Sequence, residues 1–117
     1  MTADELAVVL ESGANGCDFV AKVMPPELCK VAIQLLGAFR AESMNLVDSG
    51  IVGPGRRGAM ASVNILDIVI QLLQNVKQAN EAGSFAALAD TCRWLEERKR
   101  ILKFAGRFIH QRKIVGL

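Results

Sequence analysis

The stretch RWLEERKRILKFAGRFIHQRK, residues 93–113, decides how the chain is read. Its apolar residues recur at three- and four-residue steps, and it carries eight basic side chains against two acidic ones. Set Trp94 at zero and advance about 100° per residue, the α-helical step. Ile101, Leu102, Phe104, Ala105, Phe108 and Ile109 then fall within about 90° of Trp94 on either side. Lys99, Arg100, Lys103 and Arg107 collect opposite them, with Arg93 at the edge of that row. Arg98 lands on the apolar side, where its stem can snorkel or its head can pair with Glu97. The spacing predicts one long amphipathic helix over residues 85–111, basic on one face and apolar on the other.

Upstream, Gly83 suits the close of one helix and Ser84 the N-cap of the next. The run before it, with Ile65, Leu66, Ile68, Val69, Ile70, Leu72, Leu73 and Val76, places apolar groups nearly all round a helix starting near Ala59. Such a helix is expected at the centre of a bundle or under an oligomer partner. A strand competes for this β-branched run, but Asp67, Gln71 and Gln74 fit helical spacing better. Residues 50–58, GIVGPGRRG, hold four glycines and a proline and are expected to form a loop joining two halves of the chain. Its Arg56 and Arg57 extend the basic set. The loop lacks the Lys and Ser or Thr of a phosphate-binding P-loop, and also the spacing of a dinucleotide fingerprint.

Pro26 suits a first helical position, with Glu27 at the positive end of the helix dipole. Leu28, Val31, Ala32, Leu35, Leu36 and Phe39 form a clear amphipathic stripe from there to about Val47. Thr2 and Glu5 read as a capping box before Leu6, Val9 and Leu10. Ser12 to Gly16 is expected to break that helix, and Asp18 to cap a short turn through Phe19 that Pro25 and Pro26 stop. The sum is an all-α fold, a bundle of about four helices, antiparallel and dimeric. Residues 1–117 are taken as one helical domain, as their number allows.

Composition narrows the function classes. The chain is 51% hydrophobic but only 5% aromatic, and its mean hydropathy is +0.28. Such an aliphatic surplus in a small chain favours self-association. Net charge is +2, yet residues 1–50 hold seven acidic against three basic side chains, and residues 51–117 eleven basic against five acidic. A split of this kind points to a polyanion, a membrane surface, an acidic partner, or complementarity between the two halves. Cys17, Cys29 and Cys92 form no CxxC pair, and His110 is the sole histidine, so no zinc site is expected and no other cofactor or metal. Met1 to Glu5 begins with acid, unlike a secretory leader. No run of about 18 unbroken apolar residues marks a membrane span. The expectation is a protein of a reducing, cytoplasmic compartment.

No catalytic constellation is found. His110 is a solvated imidazole at a helix end, and Cys29 is an inert thiol beside an apolar stripe. Glu96 and Glu97 are adjacent and point apart, so they cannot serve one atom. Asp67, inside the most apolar helix, is expected in a buried ion pair. The chain reads as a non-catalytic binding protein. Its basic helix meets a polyanion, with nucleic acid the leading partner and double-stranded RNA or DNA contacted through its phosphates. Lys99, Lys103 and Arg107 lie about one turn apart and can track a backbone groove. The competing reading is a helical protein-interaction module with an apolar groove, an adaptor, chaperone or regulator whose basic face is only solvated.

Overall fold

A computed structural model describes residues 2–11, 25–97 and 99–116, with side chains as far as Gln111. It is all helical: α1 (Ala3–Glu11), α2 (Pro26–Asp48), α3 (Pro54–Glu81), α4 (Phe85–Glu97) and α5 (Lys99–Gly116). No strand occurs among the described residues. The break expected at residues 12–16, the turn at Asp18 and Phe19, Cys17 and Arg98 all lie outside them. The stretch expected as one helix over residues 85–111 is thus described as two spans, on either side of Arg98.

Local signals explain most of the boundaries. Thr2 Oγ1 accepts from the Glu5 amide at 3.2 Å, which is half of the expected capping box. The Glu5 carboxylate turns to the Thr2 hydroxyl instead of the Thr2 amide. Pro26 opens α2 after Pro25 as N-cap. At the far end of α3, Gly83 takes φ +66°, a backbone that costs a glycine little. The Gly83 amide donates to Asn80 and the Ser84 amide to Ala79, closing the helix in a Schellman turn. Ser84 then caps α4 through the Ala87 amide at 3.3 Å.

The loop expected over residues 50–58 is shorter, because α3 begins at Pro54. Proline at the first helical position gives up no hydrogen bond, and its fixed φ is already helical. Glycines 55 and 58 weaken the first turns but do not outweigh a helix held by packing farther along.

α2 and α3 form an antiparallel pair. Cys29, near the start of α2, donates its thiol to the Leu73 carbonyl late in α3 at 3.3 Å. Arg40, midway, pairs with Asp67. Arg56, at the start of α3, reaches the Val47 carbonyl near the end of α2 at 3.0 Å. The Arg40–Asp67 pair is the partner expected for Asp67, but it is not buried: its side chains are 40% and 47% exposed. Water screens such a pair, which is worth about 1 kcal/mol or less.

The core joins all five helices. Leu6 and Leu10 of α1, Ala32 and Leu36 of α2, and Leu66, Val69, Leu73 and Val76 of α3 are buried in it. Leu95 of α4 and Leu102, Ala105 and Ile109 of α5 complete it. Phe108 stands edge-on to Phe39, ring centroids 6.4 Å apart at 77°, a favourable aromatic geometry.

α3 is central, packing on α2, α4 and α5, but it is not apolar all round. Asn64, Asp67, Gln71, Gln74 and Asn75 are exposed. Unbroken apolar runs understate this helix: over 28 residues it is long and apolar enough to cross a membrane by length and composition. Much of its apolar surface packs against α2, α4 and α5, while Met60 and Ile68 stay exposed.

The Cys29 thiol is buried among these contacts. Burial pushes its pKa above the ordinary 9.0, Lys77 draws it down and Glu81 raises it again. A thiol harder to ionise folded than unfolded contributes stability that is fully present below the unfolded pKa and lost as pH rises through the folded one. Urea denaturation below and above pH 9.0 is expected to show that loss in the wild type. Cys29→Ala should lack this increment, and equal pH profiles for the two proteins would remove the thiol from the account.

Candidate polyanion-binding face

Gly106 sets how α5 is rolled about its axis. It is buried under α1, where a Cβ would come within 2.6 Å of Glu11 Cγ, 2.8 Å of the Glu11 amide nitrogen and 2.9 Å of the Ala7 carbonyl oxygen. Only a glycine lets the two helices approach this closely. The buried residues of α5 are accordingly Leu102, Ala105, Gly106 and Ile109. On the wheel their arc centres about 70° from Trp94. Trp94, Ile101 and Phe108 move to the margin, partly buried against the core. Phe104, expected on the apolar side, is 43% exposed.

The basic residues occupy the outer side. Lys99, Arg100, Lys103 and Arg107 are all exposed. None has a hydrogen-bond or ion-pair partner among the described residues. Arg100, Lys103 and Arg107 converge with Phe104 around an open depression of about 410 Å³. A second depression of about 250 Å³ adjoins it, lined by Phe104, Arg107, Phe108 and Gln111. Successive cations here rise by about 4.5 and 6 Å along the helix axis.

The other expected site residues lie apart from this row. Arg93, on α4, is paired with Asp90 at 3.2 Å. Arg56 is tied to the α2–α3 turn through the Val47 carbonyl. Arg57 is exposed on the first turn of α3. Phe104 is the residue that the reading of the sequence missed. A hydrophobicity pattern assigns every phenylalanine near the stripe to the core, and the signal that corrects it is Gly106, two residues on.

A different concavity, about 390 Å³, lies between α3 and α4, lined by Ile68, Gln71, Leu72, Asn75, Asp90, Thr91 and Trp94. Its walls are mixed, with Ile68, Leu72 and Trp94 against amide and carboxylate groups. Among the described residues no three of His, Cys, Asp and Glu converge in a way that could hold a metal ion. Comparison with protein-family models, with curated proteins and with solved structures finds no match to this chain.

Proposed function

We propose that the protein binds a polyanion without catalysis, and that nucleic acid, contacted through its phosphates, is the partner. One observation carries this reading: Lys99, Arg100, Lys103 and Arg107 share one exposed face with no anionic partner among the described residues. Four neighbouring like charges repel one another, and a row of phosphates relieves that repulsion while releasing counterions. The expected result is binding of labelled oligonucleotides that weakens steeply with salt. Replacing Lys99, Lys103 and Arg107 together by alanine should weaken it at least tenfold at low salt. The slope of log affinity on log salt should fall by about 2 to 3, since each lost phosphate contact removes about 0.7–0.9. No binding at low salt by the wild type sinks the proposal, and undiminished binding by the triple variant removes α5 from it.

Self-association belongs to the same reading, because a two-fold pair of α5 faces widens the basic surface. Sedimentation of the same samples at tens of micromolar, where stable dimers survive, should show a dimer. A monomer there limits the reading to one helix. A second reading, a protein-interaction module, draws on the α3–α4 concavity, where Ile68 is 38% exposed beside Trp94. It takes precedence if nucleic acid fails to bind.

A further inference from the structure

We infer that the α5 face is built for a single strand of nucleic acid, with Phe104 as the surface on which a base stacks. This rests on the polyanion reading and deepens it. Phe104 is 43% exposed, and it stands between the two adjoining depressions of α5. Arg100, Lys103 and Arg107 rim one of them. Arg107 and Gln111 rim the other. A large apolar ring among cations keeps much of its surface in water and gains no place in the core. It is productive where a π-face meets it, with charged neighbours to hold the backbone on either side.

The chemistry separates the kinds of polyanion. In a duplex the bases stack on each other, and a helix laid along the backbone meets phosphate and sugar, which offer the ring no flat partner. A strand with splayed bases offers one at every nucleotide, while its phosphates reach the flanking cations. Gln111 adds an amide, both donor and acceptor, at the far depression, within the reach of a base edge.

An anionic membrane fits less well. A helix lying in the interface needs a continuous apolar face turned to lipid. Here Trp94, Ile101 and Phe108 are packed against the core. That leaves Phe104 as the one large apolar side chain on α5 with substantial exposure among the described residues.

The test is fluorescence anisotropy on the full chain at low salt, with a labelled single strand of about 12 nucleotides and the duplex of the same sequence. The single strand is expected to bind more tightly. Phe104→Ala should weaken single-strand binding about tenfold, with duplex binding and the salt slope unchanged. Phe104→Leu keeps the bulk without the ring face and should behave as Phe104→Ala, whereas Phe104→Trp should keep the wild-type affinity. Equal affinity of the wild type for strand and duplex overturns the stacking role and leaves the phosphate reading standing. So does wild-type affinity in Phe104→Leu. The first of these needs no variant to fold. Failure of both probes to bind the wild type at low salt overturns both readings. Capture on phosphatidylserine vesicles without oligonucleotide binding does the same in favour of a membrane.

Discussion

Gly106→Ala is expected to destabilise the protein by about 1–3 kcal/mol, the range for forcing a methyl group into a packed site. The sign is the informative part. In an ordinary helix interior the same change stabilises by up to about 1 kcal/mol, because alanine loses less conformational freedom than glycine. At Gly106 the added Cβ meets the Glu11 amide nitrogen at 2.8 Å and the Ala7 carbonyl oxygen at 2.9 Å. Those two atoms stand four residues apart, as donor and acceptor of one α-helical hydrogen bond of α1. The methyl group therefore presses on backbone, which cannot swing aside as a side-chain tip can. α1 has to lift, and Leu6, Ala7 and Leu10, now buried, lose contact with α5. Gly37 supplies the control. It lies within α2, and nothing stands within 4 Å of where its Cβ would be. Gly37→Ala should stabilise by about 0.5–1 kcal/mol. Urea denaturation of the two variants beside the wild type gives both numbers. Stabilisation by both would show that α1 does not sit this close to α5. Amide exchange adds a local reading, since α1 should lose protection in Gly106→Ala first.

That contact also explains what the sequence could and could not disclose. The stripe of α2 is legible because Ala32, Leu36 and Phe39 keep a helical period and Pro26 marks its start. Gly83 and Ser84 are legible because their turn chemistry is local. The exposure of Lys99, Arg100, Lys103 and Arg107 is legible too, since unpaired charges stay in water. The roll of α5 is not. A wheel centred on Trp94 weighs side chains by size and hydrophobicity, so it assigns Gly106 no weight, yet α1 docks on Gly106. Such a wheel misplaces Phe104 for that reason, and with it the aromatic part of the proposed site. The start of α3 fails differently: counting glycines over residues 50–58 hides what Pro54 does at a first helical position. The burial of Asp67 fails because its partner, Arg40, lies on another helix and near the surface, which no local pattern records.

The largest loss of stability is expected from Leu73→Ala, at about 2–5 kcal/mol. Leu73 is 0% exposed, and its carbonyl accepts the Cys29 thiol across the α2–α3 contact. Truncation removes buried methyl groups and leaves a cavity that two long packed helices cannot collapse to fill. Against the 5–15 kcal/mol usual for a whole domain, such a loss lowers the melting temperature by roughly 8–20 °C. Ile68→Ala on the same helix should cost about 1 kcal/mol or less, because Ile68 is 38% exposed and its removal opens no internal void. Thermal melts at low and high protein concentration separate the two possible meanings of an apolar α3. If α3 packs only within this chain, Leu73→Ala is severe and Ile68→Ala mild at every concentration. If a second copy covers the outer face of α3, Ile68→Ala grows costly as concentration rises and the wild-type melting temperature rises with it. Equal, concentration-independent costs for the two variants would mean that Ile68 is as buried as Leu73. The α3–α4 concavity would then be closed, and the protein-interaction reading would lose its surface while the basic face of α5 kept its own.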